Sequence, residues 1–113
     1  MADRLADGVP GSLEIRVSRE GTRAVAELSG ELDAATAGQL REEIVALVAD
    51  GVRTLVLDMA ALALIDSTGL GVLVGVLKRV LQHGGELQLR APRRAVRKVL
   101  DITGLDRIFT IVD

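Results

Sequence analysis

The sequence contains no cysteine, no tryptophan and no tyrosine, with one phenylalanine, Phe109, and one histidine, His83. Without cysteine, disulfides and thiolate metal sites are excluded. Without an aromatic platform there is nothing on which bases could stack, which argues against single-stranded nucleic-acid binding. The core must be built from Val, Leu, Ile and Ala. A single histidine makes a histidine metal cluster or a Ser–His–Asp relay hard to assemble. No apolar run approaches the roughly 20 residues that span a bilayer. The longest, Gly69–Leu77, is stopped by Lys78-Arg79. Neither sign of charge dominates: 14 Lys and Arg stand against 16 Asp and Glu, a net −2. There is thus no global attraction to nucleic acid or an anionic membrane. The N-terminal MADRLADGVPGS lacks the apolar core of a signal peptide, so a soluble cytoplasmic protein is expected.

What is present fits one globular domain: 113 residues, 49% hydrophobic and 27% charged. Met1–Ser12, small and polar, reads as a flexible leader. Leu13–Ser18 alternates apolar and polar residues, the period of a half-buried strand. Arg19–Thr22 looks like a hairpin turn, and Arg23–Ser29 gives a second strand, with Val25 and Leu28 facing inward and Gly30 ending it. A helix is expected over Ala34–Ala49, with Leu40, Ile44, Leu47 and Val48 as its apolar stripe. Asp33 or Thr36 would cap its start, and Asp50-Gly51 its end. Thr54–Asp58 is a continuous apolar run, expected to be a central parallel strand covered on both faces. Met59–Ile65 reads as an apolar connection.

A second helix is expected over Thr68–Gln82, apolar nearly all round in its first half and ended by His83-Gly84-Gly85. Glu86–Arg90 alternates as a strand. Pro92 suits the first turn of a third helix, whose stripe is Val96, Val99, Leu100 and Thr103, stopped by Gly104. Ile108–Val112 gives a last short strand. This order of elements implies a mixed α/β sheet with an N-terminal β-hairpin, flanking helices and right-handed crossovers. Sites in such folds gather beyond the carboxyl ends of the strands. Gly30–Asp33 and Asp66–Gly69 are therefore expected on one rim.

The stretch DSTGLG, Asp66–Gly71, sets two hydroxyls between a carboxylate and a glycine. A nucleophilic serine needs a base within hydrogen-bond reach. His83 lies near the far end of the same helix, about 20 Å away at 1.5 Å per residue. A nucleotide cradle would need a different glycine spacing or the P-loop lysine. Asp58 sits where a receiver domain carries its phospho-accepting aspartate, but the acidic pair and the β-α-β start are missing, so it reads as a strand-end residue bonding local amides. The plain reading of Asp66-Ser67 is a helix cap, with Ser67 at the N-cap. That leaves the helix behind it more apolar than one buried stripe requires. Leu70, Val74 and Leu77 are candidates for an exposed patch that takes a protein partner. Arg93, Arg94, Arg97 and Lys98 read as a solvated helix face, and His83 as a helix C-terminal residue favoured by the dipole.

GELDAAT (Gly30–Thr36), the strand ending at Asp58, IDSTGLGVLVGVLKR (Ile65–Arg79), GGELQLRAP and VLDITGLDRIF together resemble the STAS domains of bacterial anti-sigma-factor antagonists. The resemblance runs from Leu13 on, giving a leader over 1–12 and a STAS domain over 13–113. It implies a non-enzymatic partner-switching protein with no cofactor and no metal of its own. The hydroxyl after the motif aspartate is the family's phosphorylation site: Ser67 here, with Thr68 the second choice. The implied kinase is the anti-sigma factor itself, an ATPase of histidine-kinase-like fold using ATP and magnesium. The unphosphorylated antagonist binds it and frees the sigma factor, and a metal-dependent serine phosphatase resets the switch. Asp33, Thr36, Asp66, Ser67, Thr68, Gly69, Leu70 and Val74 are the expected contact surface. No direct nucleic-acid or membrane partner is expected. The competing reading is an unswitched interaction domain scaffolding a stress-signalling or transport complex. Many members carry a further C-terminal helix beyond the point where this chain stops. Either this member is short or the sequence is trimmed; a missing helix is expected to expose core or sheet edge and to favour weak homodimers.

Overall fold

The computed structural model describes residues 11–113. Five strands, β1 (Leu13–Glu20), β2 (Arg23–Leu32), β3 (Thr54–Ile65), β4 (Glu86–Arg90) and β5 (Thr110–Val112), form one sheet in the order of the chain. Only β1 and β2 are antiparallel; every other neighbouring pair is parallel. The parallel pairs are joined through α1 (Ala37–Ala49), α2 (Ser67–Gln82) and α3 (Arg94–Thr103), with a 3₁₀ turn at Leu105–Arg107.

All three crossovers step the same way across the sheet. Right-handed crossovers then place all three helices on one face. Strand parity agrees with this. Ala24, Ala26, Leu55, Leu57, Leu87 and Leu89 join Leu40, Ile44, Leu73, Val76, Val96 and Leu100 in a single core cluster. The opposite face carries a cross-strand row in register, Arg16, Glu27, Asp58 and Arg90. β3 is therefore covered by helices on one face only, contrary to the expectation from its apolar run. Val56, on the open face, is buried between its register neighbours Val25 and Gln88. The inward residues of β2 are Ala24, Ala26 and Leu28, and Val25 points to the open face.

Several boundaries differ from the sequence reading. The hairpin turn is only Gly21-Thr22, Gly21 taking a positive φ of 61°, so both strands are longer. Gly30 does not end β2, which runs on to Leu32. Met59–Ile65 continues β3 rather than connecting it onward. Two register shifts between β2 and β3 break the alternation, so the buried residues fall at Met59, Leu62 and Ile65, every third position. Helix α1 starts at Ala37, after a turn. Pro92 precedes the N-cap of α3, Arg93, instead of sitting in its first turn, and Thr103 is exposed, bonding back to the Val99 carbonyl at 2.8 Å. The last strand begins at Thr110. The expected leader lies outside the described residues as far as residue 10. Ser12 belongs to the fold, its carbonyl accepting the Glu31 N–H at 2.9 Å.

β4 ends in register with Asp58 while β1 stays paired with β2 as far as Gly30, so past Asp58 the sheet narrows to β1, β2 and β3, and β2 and β3 continue together to Leu32 and Ile65. The two loops singled out in the sequence begin there.

Candidate functional site

Leu32 and Ile65 are register partners at the ends of β2 and β3, so Asp33–Thr36 and Asp66–Gly69 emerge side by side, as expected. The Asp66 N–H donates to the Leu32 carbonyl at 3.2 Å. The N-cap of α2 is Asp66 rather than Ser67. Its Oδ1 accepts the Gly69 N–H at 2.9 Å, satisfying one of the first-turn amides that a helix leaves open. Its Oδ2 accepts the Ala34 N–H at 3.2 Å, across to the other loop. One carboxylate thus caps the helix and ties the two loops together. This second bond was not legible in the sequence, because it joins residues 32 apart.

Gly69 lets the loops come this close. A Cβ there would stand 2.5 Å from the Leu32 carbonyl oxygen, inside contact distance. The residue type is dictated by backbone approach.

The Asp33 turn is held from within. Asp33 Oδ1 accepts the N–H groups of Ala35 at 2.9 Å and Thr36 at 3.2 Å. The Thr36 hydroxyl donates to the Glu31 carbonyl at 2.8 Å and accepts the Asp33 N–H at 3.0 Å. Neither side chain makes a cap bond to α1 itself. Thr36 is only 5% exposed, the one buried polar side chain among the described residues.

Ser67 occupies the first position of α2, and Ser67 and Thr68 are both exposed. Asp33 is half-buried beside them. Leu70, expected in an exposed patch, is a core residue at 7% exposure, because it lies on the stripe with Leu73, Val76 and Val80. Val74 and Leu77 are half-buried against the core. The exposed large apolar residue nearest the site along the chain is Leu64, at 47%, near the end of β3. Thr36, Gly69 and Leu70 are therefore framework beneath a surface formed by Asp33, Asp66, Ser67 and Thr68.

The remaining sequence candidates lie elsewhere. His83 is the C-cap of α2, its Nδ1 2.9 Å from the Arg79 carbonyl, at the opposite end of the helix from Ser67. Asp58 is in the middle of β3 rather than at a strand end. Its Oδ1 accepts the Ala60 N–H at 3.0 Å and its Oδ2 the Arg90 Nη2 at 2.8 Å. The Ala60 amide and the Arg90 guanidinium hold its carboxyl below the usual 3.8, outweighing its partial burial. Arg97 pairs with Asp101 one turn on, and Arg93, Arg94 and Lys98 are exposed.

A groove of ≈ 340 Å³ runs between α1 and α2, starting one turn below Ser67. Its apolar lining includes Ile44, Val45, Val72 and Val76, and its rim carries Arg41, Lys78 and Arg79. Gly71 and Gly75 also line it, and a Cβ at either would meet none of the described residues within 4 Å. Each glycine costs α2 about 1 kcal/mol relative to alanine. In the sequence alone, Arg41 and Lys78 carry no local signal of this placement.

The comparisons with known proteins agree with one another. The STAS domain family model matches residues 14–113. The anti-sigma-B factor antagonist of Bacillus subtilis is 39% identical over 84 residues, 74% of this chain and 76% of that protein. The crystal structure of an anti-sigma factor antagonist from Mycobacterium paratuberculosis superposes with a TM-score of 0.82 at 32% identity, covering 92% of this chain and 88% of that one. The Bacillus cell-fate determinant SpoIIAA is also similar. Its unphosphorylated form gives a TM-score of 0.77 at 25% identity, covering 88% of this chain and 89% of its own. Its phosphorylated form gives 0.70 at 25% identity, covering 88% and 92%.

Proposed function

The chain belongs to the STAS domain family, and from that premise we propose that it is an anti-sigma factor antagonist switched at Ser67. The observation that carries this reading is the placement of Ser67. It is an exposed hydroxyl on the first turn of α2, mounted on the Asp66–Gly69 cap and flanked by the Asp33 turn. The one histidine of the chain, His83, stands at the opposite end of α2, so the chemistry comes from the partner. The partner is an anti-sigma factor with serine-kinase activity, which transfers the γ-phosphoryl group of ATP to the Ser67 hydroxyl. A metal-dependent serine phosphatase removes it. The unmodified protein docks on the anti-sigma factor through Asp33, Asp66, Ser67, Thr68 and the half-buried Val74, over the framework of Thr36, Gly69 and Leu70. Docking frees the sigma factor, so transcription is regulated without contact to DNA.

Electrostatics explains why one phosphate suffices. It adds about −1.5 to −2 charge. At a helix N-terminus, first-turn amides and the macrodipole offset that charge by roughly 0.3–1 kcal/mol. The fold therefore accepts the modification. A partner seated on the surface must instead desolvate or expel a dianion beside Asp66 and Asp33. A loss of about 3 kcal/mol corresponds to roughly a hundredfold in affinity. The test is titration of a histidine-kinase-like anti-sigma factor from the same genome with unmodified and phosphorylated protein. Binding by the unmodified form and its loss on phosphorylation is expected. Equal binding by both forms would favour an unswitched interaction domain.

Among the described residues no helix is long and apolar enough to cross a membrane.

A further inference from the structure

We propose that the groove between α1 and α2 is a second docking site, taking an acidic amphipathic helix of the protein that docks on the Ser67 face. This rests on the partner-switching reading and adds the chemistry of the partner's contacting segment.

Charge is the first argument. The chain as a whole is acidic, at −2, yet the groove is lined by three cations, Arg41, Lys78 and Arg79, and by no acidic residue. No ion pair among the described residues involves any of the three; the pairs present are Arg16–Glu14, Arg19–Asp50, Arg90–Asp58 and Arg97–Asp101. Cations around an apolar floor match an acidic face beside an apolar stripe.

Shape is the second. The groove follows α2 from Gly71 to Gln82, about 16 Å at 1.5 Å per residue, or three helical turns. Its walls are helices, whose amides are used internally, so an extended strand would find no ladder to join. A helix needs only side-chain packing. Gly71 and Gly75, one turn apart, leave the α2 backbone bare along the groove, and no described residue touches the space a Cβ would fill. Bare backbone at this spacing lets a second helix come close.

Continuity is the third. Gly71, Gly75, Lys78 and Gln82 follow Ser67 at intervals of four, four, three and four residues, a single face of α2. A partner docked over Ser67 is already at the groove's mouth.

The test uses the full chain and, as probes, the histidine-kinase-like anti-sigma factors of the same genome. Three variants are compared with the parent: Gly75→Leu, which fills the groove; Arg41→Glu with Lys78→Glu, which reverses the rim; and Ser67→Glu, which touches only the switch. Thermal melts followed by far-UV circular dichroism report folding. Gly75→Leu is expected to melt at or above the parent temperature yet bind at least about tenfold more weakly. The rim reversal is expected to weaken binding comparably and remove most of its salt dependence, and it stands as the test should Gly75→Leu fail to fold. Parental affinity in both folded groove variants, with binding lost only in Ser67→Glu, overturns the groove and leaves the switch. Weaker binding in the groove variants with none lost in Ser67→Glu does the reverse. A wild-type chain that binds none of the probes overturns both. Concentration-dependent self-association that Gly75→Leu abolishes would assign the groove to a second copy of this chain and overturn the proposal.

Discussion

The carboxylate of Asp66 carries two bonds that substitution can separate. Oδ1 takes the Gly69 amide and Oδ2 the Ala34 amide. Asp66→Ala removes both. Loss of the cap costs about 1 kcal/mol, and loss of the second acceptor about 0.5–1.5 kcal/mol. The sum, about 2 kcal/mol, corresponds to a fall of about 10 °C in Tm for a domain of this size. Asp66→Asn keeps a good N-cap residue, but its side chain offers one acceptor and one donor. In either orientation of the amide one of the two bonds is lost, so about half the destabilisation is expected. The assay is urea unfolding followed by circular dichroism at 222 nm, since the chain has no tryptophan to report. Hydrogen exchange at the Ala34 and Gly69 amides would run alongside it. The expected order is wild type, Asp66→Asn, Asp66→Ala, with a constant m-value. Faster exchange should appear at both amides in Asp66→Ala and at one of them in Asp66→Asn. Unchanged exchange at Ala34 in Asp66→Ala would refute the bond between the loops. Equal stability of wild type and Asp66→Asn would refute the double role of the carboxylate.

Other substitutions probe neighbouring parts of the argument. Gly69→Ala drives a Cβ to 2.5 Å from the Leu32 carbonyl oxygen; a destabilisation of about 1–3 kcal/mol is expected from this overpacking, read as a lower urea midpoint. Because the folded-state carboxyl of Asp58 is held below its ordinary value, its contribution is present above about pH 4 and is lost as pH falls through the folded-state value. Asp58→Asn should therefore flatten the acid limb of the stability curve, measured as Tm against pH; an unchanged acid limb would mean that the Arg90 and Ala60 bonds do not form in solution. Ser67→Glu should leave the circular dichroism spectrum unchanged and Tm within a few degrees, since the added charge sits at a helix N-terminus; an unfolded variant would contradict a switch that acts at the surface alone.

Local patterns made most of the fold legible. The alternation of β1 and β4, the stripe of α1 and the glycine stops after α1 and α3 each reside within one element, and the sheet order follows from the crossovers. What misled was non-local. Met59–Ile65 is strand through its pairing with β2, and the two register shifts in that pairing erase the alternation that would mark it locally. The all-round apolarity of Leu70–Leu77 suggested an exposed patch. In the fold, α2 packs against α1, β3 and β4, which bury or half-bury nearly all of it. The apolar run of β3 suggested helices on both faces, but every crossover steps the same way. At the site, the pairing of the two loops was readable from the element order. The choice of Asp66 as cap and its bond to Ala34 have no local signature, since Ser67 is an equally good N-cap residue by type.

Whether Ser67 is the switch is read from the intact mass of the protein after incubation with a cognate anti-sigma kinase, ATP and magnesium. A gain of one phosphoryl group is expected for the wild type and none for Ser67→Ala, with Thr68→Ala still modified. A wild type that no kinase of the same genome modifies, or a Ser67→Ala variant that still gains the phosphate, would contradict a switch at Ser67.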